Sequence, residues 1–340
     1  MKNALKYLIS LAVAGGLLWY VFNDIDLPAM LTAIGQANYR WVAVYGVLIM
    51  VAHWSRGVRW GLLMEPVVNQ KISQTNLTMA VLTGYFANLL IPRMGEVTRC
   101  GTLNRTNDVP VNISFGTVVA ERIFDVVMLL LLIGLNFVLE FSRLSAFLTD
   151  FLNSKFNFGK LQDNSWLLIV AGIGLVSGIA GAWWLFNRYK DRLMQNPLLN
   201  KVISFGLGLL EGLLSVRKLR NPGLFIFHTL LIWTMYYGTT YVLFFAMPQT
   251  AQLGPLAALT ILVMGSIGMA APTQGGLGAF NILVGSALVL YGLTQQDGQT
   301  LATLMLLSQW IFVILFGGIS FLVVLARSRN TPAKEVEVAR

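Results

Sequence analysis

The sequence predicts an all-α polytopic membrane protein, with six transmembrane helices and two re-entrant helical hairpins arranged as an inverted-topology repeat. Three observations carry this. Hydrophobic residues make up 56% of the 340 and charged ones 11%, whereas an average soluble domain is roughly a quarter charged. The mean hydropathy is +0.68, concentrated in runs long enough to cross a bilayer. Finally, a single choice of orientation places nineteen of the 24 lysines and arginines on one side.

A spanning helix needs about 20 mostly apolar residues. Leu5–Phe22 is the first candidate. Its lysine-flanked start has the look of a signal peptide, but no small-x-small site follows before Asp24 and Asp26, so a retained helix is expected. Trp41–Met64 is the second span. Asn76–Ile91 is interrupted by Pro-Arg-Met-Gly-Glu at 92–96 and resumes as Glu96–Asn104. Proline and glycine free backbone groups, which a bilayer tolerates only inside protein or beside a water-filled cavity. This stretch is therefore expected to turn back as the first hairpin.

Ser114–Leu139 and Ser165–Phe186 follow as spans three and four. Asn196–Val216, interrupted by Lys201 and Glu211, reads equally as an amphipathic surface helix or as a plain connector. In the first case its basic end at Arg217, Lys218 and Arg220 faces anionic lipid. Pro222–Met247 is the fifth span. Leu253–Ala271 breaks at Pro-Thr-Gln-Gly-Gly, 272–276, and resumes as Gly278–Tyr291, the second hairpin; Thr300–Ala326 is the sixth span. Residues 1–326 then form a single transmembrane domain, with repeats at about 5–139 and 165–326. Residues 327–340 are expected to be a disordered cytoplasmic tail.

With both termini cytoplasmic and each hairpin returning to its own side, nineteen basic residues are inside, four outside, and Arg122 lies within a span. The positive-inside rule favours this arrangement, in the cytoplasmic membrane of a bacterium or archaeon. The two hairpins then enter from opposite faces, and Pro92-x-x-Gly95 corresponds to Pro272-x-x-Gly275. Broken helices meeting near the midplane are a transporter architecture. Pro92, Gly95, Pro272, Gly275, Gly276, Gly278 and Asn281 are the candidate hinge or gate positions.

Other classes are excluded or weakened. Cys100 is the only cysteine, and His53 and His228 are the only histidines, which rules out an intrachain disulfide and leaves little for zinc. No metal or cofactor is expected. The formal charge of +9 is spread between apolar runs, as topology requires, and no nucleic-acid partner is expected. No G-x-x-x-x-G-K-[ST] loop is present, so ATP is not the direct energy source. HExxH and GxSxG are also missing from the sequence, and no catalytic residue is assigned.

Charges inside a span are costly and usually face a partner or a cavity. Glu121 and Asp125 are four apart on one helix face, with Arg122 about 100° round from Glu121. The first hairpin adds Asn88, Arg93, Glu96 and Arg99. The arginine fork suits phosphate oxygens, and a helix restarting at Gly95–Glu96 presents N–H groups to an anion. Two readings stay open at this point: Arg93, Arg99 and Arg122 gather round one phosphate, or the charges form a buried ion network that locks the fold. Arg56 and Arg59, near the end of the second span, are read as anchors to lipid phosphates.

The ordered set Asn88-Leu-Leu-Ile-Pro92-Arg93-Met-Gly95-Glu96-Val-Thr-Arg99, Glu121-Arg122-x-x-Asp125 and Pro272-x-x-Gly275-Gly276-Leu277-Gly278 resembles the motifs of the flippase-like membrane family. Its best-known member domain is the transmembrane region of lysylphosphatidylglycerol synthases. The resemblance runs from about residue 5 to 326. It implies movement of phospholipids or polyprenyl-linked sugars between leaflets. Many relatives carry a glutamate where this chain has Asn281, which implies a different handling of protons or of a cationic head group. Only residues 327–340 follow the last span, so the chain is expected not to be the synthase itself.

The function expected is lipid translocation without ATP, with membrane lipids of anionic head group as partners. A second copy of the chain and a lipid-synthesising enzyme are further candidate partners. The alternatives are an intramembrane lipid-modifying enzyme, with Glu96, Glu121 and Asp125 supplying acid–base groups, and a scaffold for such an enzyme.

Overall fold

The computed structural model describes Gly16, residues 22–23, 25–68, 70–141, Arg143, 219–271 and 273–329. The expected span at Ser165–Phe186, the segment Asn196–Val216, Pro272 and nearly all of Leu5–Phe22 lie outside the described residues, as does the tail beyond Arg329. Among the described residues every regular element is helical.

Helix α1, Leu27–Gly35, is one the hydropathy reading passed over. Asp26 caps it, its Oδ1 accepting from the Ala29 N–H at 3.0 Å, with Pro28 in the first turn, both ordinary start signals. Helix α2 is Tyr39–Met64. Helix α3, Gln74–Leu90, begins on Ser73, whose Oγ accepts from the Asn76 N–H at 3.2 Å. After a break at 91–94, α4 runs Gly95–Asn107, and α5 runs Val111–Leu139. In the second half, α6 is Pro222–Phe244, α7 Pro255–Ala270 and α8 Ala279–Val289. Helix α9, Gln295–Phe312, passes through a π turn at Val313–Gly317 into α10, Gly318–Arg329.

Among the described residues, three helices are long and apolar enough to cross a membrane: Tyr39–Met64, Val111–Leu139 and the continuous Gln295–Arg327. The chain is a multi-pass membrane protein. Leu130, Leu131 and Val138 are exposed on α5, as expected of a face turned to hydrocarbon. Helix α6 has 23 residues but carries His228, four threonines and three tyrosines. Helices α3 and α4, of 17 and 13 residues, reach only roughly 26 and 20 Å at 1.5 Å per residue. Neither matches a hydrocarbon core of about 30 Å.

The short helices fold back on each other in pairs. Helices α3 and α4 cross backbone to backbone at Gly84 and Gly95: a Cβ on Gly84 would lie 2.7 Å from the Gly95 carbonyl oxygen. Helices α7 and α8 meet at Gly268, where a Cβ would lie 2.8 Å from Phe280 Cα. The second break rests on the end of the first pair: Trp310 Nε1–H donates to the Gly275 carbonyl at 3.3 Å, and a Cβ on Gly275 would be 3.1 Å from the Leu89 side chain. Gly275, Gly276 and Gly278 have φ of 56°, 82° and 79°, a region in which glycine has no Cβ penalty.

Three apolar cores form among the described residues: a small one of Leu62, Leu63, Phe124, Leu219 and Phe225, and two larger ones, one centred on α1, α2 and α6–α9. The other, formed by Trp60, Met64, Leu77, Val81, Leu103 and Val118 with their neighbours, underlies the polar site described next. The chain divides into two compact units, 1–136 with 216–340, and 137–215. In the second, the described residues continue α5 past Phe137, with Glu140 paired to Arg143 at 3.5 Å.

Candidate functional site

Helix periodicity sets two charged faces against each other. On α2, Arg56 and Arg59 are three apart; on α5, Glu121 and Asp125 are four apart. Each pair therefore lies on one face of its helix. Arg56 Nε donates to Glu121 Oε1 at 2.7 Å, and its Nη2 donates to Asp125 Oδ2. Arg59 Nη2 reaches both carboxylates, at 3.1 Å from Glu121 Oε1 and 2.6 Å from Asp125 Oδ1. Arg99, from α4, donates through Nη2 to Glu121 Oε2 at 2.5 Å. Arg122 donates through Nε to Glu96 at 2.9 Å and through Nη1 to Asp125 at 3.4 Å.

Tyr85 of α3 and Tyr236 of α6 complete the cluster, each accepting from Arg56 Nη1, at 2.8 and 3.0 Å. The Arg99 guanidinium lies 3.9 Å from the centre of the Trp60 ring, a favourable cation–π geometry. Five helices are thus joined through one set of ions. Burying ions costs several kcal/mol each unless geometry and hydrogen bonds compensate. Here Glu121 and Asp125 each receive three guanidinium groups. Four arginines against three carboxylates leave one net positive charge.

Exposure divides this network. Glu121 and Arg59 are fully enclosed, while the side chains of Arg122 and Glu96 are 42% and 32% exposed. That outer pair lies on a shallow, open cleft whose enclosed volume is only about 10 Å³, about the space of one water molecule, lined also by Tyr85, Asn88, Gly95 and Arg99. Asn88 Oδ1 accepts the Gly95 N–H at 2.7 Å, so this amide closes the restart of α4 and takes one of the N–H groups expected for an anion. Among the described residues, Arg122 Nη2 has no partner, and Arg59 Nε, Arg59 Nη1 and Arg99 Nε are buried without one.

The residues singled out from sequence fall into three groups. Asn88, Glu96, Arg99 and Arg122 line the cleft, with Glu121 and Asp125 behind them. Arg93 does not join them. It is exposed at a left-handed φ of 64° in the turn between α3 and α4, beside half-buried Pro92. Gly95 has no unusual φ and serves close approach, whereas Gly275, Gly276 and Gly278 form the turn into α8. Asn281 lies in the first turn of α8, directly after the second break, buried on the α8–α9 face, its Nδ2 donating to Thr303 Oγ1 at 3.1 Å.

Arg56 and Arg59 depart most from the sequence reading. Rather than anchoring lipid phosphates at a surface, they are buried at 4% and 0% exposure in the middle of the network. The signal that marks them is the complementarity of two faces: two arginines at i, i+3 in one span and two carboxylates at i, i+4 in another. Tyr85 and Tyr236 had no comparable mark, because tyrosine is ordinary in any apolar helix.

A model of one protein family, described as the lysylphosphatidylglycerol synthase TM region, matches residues 7–317. No curated protein and no solved structure matches the chain.

Proposed function

The chain belongs to the lysylphosphatidylglycerol synthase transmembrane-region family, and from that premise we propose that it is a lipid translocase, moving a phospholipid or polyprenyl-phosphate-linked lipid between leaflets without ATP. The observation that carries this reading is Arg122. It is the one arginine of the network that is both half-exposed at a cleft and backed by a buried cluster with net positive charge. A guanidinium fork in that setting suits a phosphate, whose charge-assisted bonds are roughly twice as strong as neutral ones. Asp125 holds it from behind, within the network that Arg99 and Glu121 complete; Asn88 and Glu96 form the wall.

The reading includes six spans, two re-entrant hairpins in an inverted repeat, and both termini on the cytoplasmic side of the cytoplasmic membrane. Support comes from four helices too short to cross, packed in two pairs, and from the contact of Gly275 with the end of α3. The head group is the costly part to move, since a charge at the bilayer centre costs roughly 3 kcal/mol even on permissive scales. The partners are anionic lipids, and beyond them a second copy of the chain or an enzyme that makes the lipid. Intramembrane enzymology is less favoured, because Glu121 and Asp125, the inner carboxylates of the network, are each held by three guanidinium groups. The test is reconstitution of the full chain in vesicles carrying a fluorescent phosphatidylglycerol. Transfer between leaflets above that of protein-free vesicles is expected, and its absence, or chemical change in the lipid, would sink the reading.

A further inference from the structure

The three carboxylates of the network are not equivalent. Glu121 and Asp125 each accept from three arginines, with side chains 0% and 16% exposed. Glu96 accepts from one, through a single oxygen, and is 32% exposed. Its partner Arg122 is the most exposed of the four arginines, at 42% against 5% or less for the others, with one bond at 2.9 Å and one at 3.4 Å. Both line the cleft. Glu96 also sits in the first turn of α4, where the helix dipole stabilises a carboxylate whether or not it is paired.

We propose that Glu96 is a built-in competitor for the head-group phosphate, holding Arg122 until a phosphate takes its place and reclaiming it as the phosphate leaves. This rests on the translocase reading above. The physical ground is the difference between the two pairings. An exposed carboxylate–arginine pair has little net strength, whereas a phosphate engages the fork bidentately. Release of Glu96 is cheap because the dipole of α4 still supports it. A transporter needs release as much as capture, and tight binding of the resting substrate alone speeds nothing. A carboxylate that re-forms its pair gives the phosphate an easy way off. Glu96 is therefore a residue that sets affinity and release, acting through Arg122.

The experiment titrates the full-length protein in detergent with dihexanoylphosphatidylglycerol and, separately, with inorganic phosphate, and measures flux in vesicles. Glu96→Gln should tighten lipid binding about fivefold, the strength of an exposed pair. In vesicles the same variant should show a lower KM and a lower kcat. Arg122→Gln should weaken binding, and adding Glu96→Gln to it should change nothing further. Thermal midpoints close to wild type for Glu96→Gln would confirm that the fold is kept. Unchanged or weaker lipid binding by Glu96→Gln would overturn the proposal while leaving translocation standing. So would tightening that persists in the Arg122→Gln background, since Glu96 would then act by repulsion alone. Binding of inorganic phosphate without lipid binding in wild type would overturn the translocase reading and this proposal with it.

Discussion

Glu121 lies fully buried on α5 with its Oε2 2.5 Å from Arg99 Nη2 on α4, so one carboxylate ties a long span to the first hairpin. The same side chain accepts from Arg56 and Arg59 of α2 through its other oxygen. Removing its charge leaves Arg99 without a carboxylate and Arg56 and Arg59 with Asp125 alone. Glu121→Gln is expected to destabilise the protein by about 3–5 kcal/mol, the range for breaking a buried pair. Thermal unfolding in detergent, with Glu96→Gln alongside as the near-neutral comparison, checks this.

Arg122→Lys keeps the charge and loses the fork. Lipid transfer in vesicles is expected to fall about tenfold or more, as one charge-assisted bond is worth roughly 1.5–3 kcal/mol, while the unfolding midpoint moves little. Transfer at the wild-type rate would remove Arg122 from the head-group site.

Gly95→Ala puts a methyl group onto the Gly84 carbonyl, and neither side of that contact is a flexible side chain. A loss of at least 1–3 kcal/mol, the usual range for overpacking, is expected. Gly116→Ala on α5 meets nothing within 4 Å and should instead gain about 0.5–1 kcal/mol from helix propensity. The two midpoints measured together separate steric from propensity effects.

Gly276 has a φ of 82°, and a Cβ there would strike Met269 Sδ. Gly276→Val is expected to abolish lipid transfer while dihexanoylphosphatidylglycerol still binds near Arg122, because the cleft is lined from α3, α4 and α5. Loss of binding and transfer together, or of neither, would show that the second break is not a separate gate.

Orientation is open to single-cysteine labelling in a Cys100→Ala background. Lys71 in the α2–α3 connection and Gln295 at the start of α9 are both exposed. Lys71→Cys is expected to react only from the cytoplasm and Gln295→Cys only from outside. Reaction of both from one side would overturn the inverted arrangement.

Much of the fold was legible because apolar length is a local property. The described spans begin and end within a few residues of the hydropathy runs: Tyr39–Met64 against Trp41–Met64, Val111–Leu139 against Ser114–Leu139. The breaks were legible because proline and glycine act at their own positions. Helix α1 was missed because nine residues are too few for a hydropathy window, although Asp26 and Pro28 mark its start. The site was half legible. Glu121 and Asp125 stood out as charges in an apolar run, but pairing them with Arg56 and Arg59 depends on which helix packs on which, and that is decided far along the chain. Arg93 shows the converse failure: proximity in sequence to Glu96 and Arg99 suggested a shared pocket, and a left-handed turn points it elsewhere.

The crossing of Gly84 and Gly95 has a mechanical consequence. Side chains absorb small displacements by changing rotamer, and at this crossing the backbones meet directly, with the Asn88 amide beside them. Helices α3 and α4 therefore have little room to slide past or press toward each other at that point before carbonyl and Cα atoms collide. The pair transmits force as a stiff strut. Its bearings are the connections at its two ends, residues 65–73 before α3 and 108–110 after α4, where Asp108 already adopts a left-handed φ of 54°. A tilt of this pair about those connections would carry Glu96 and Arg99 together, against their ion pairs to α5, with the turn at 91–94 as its tip.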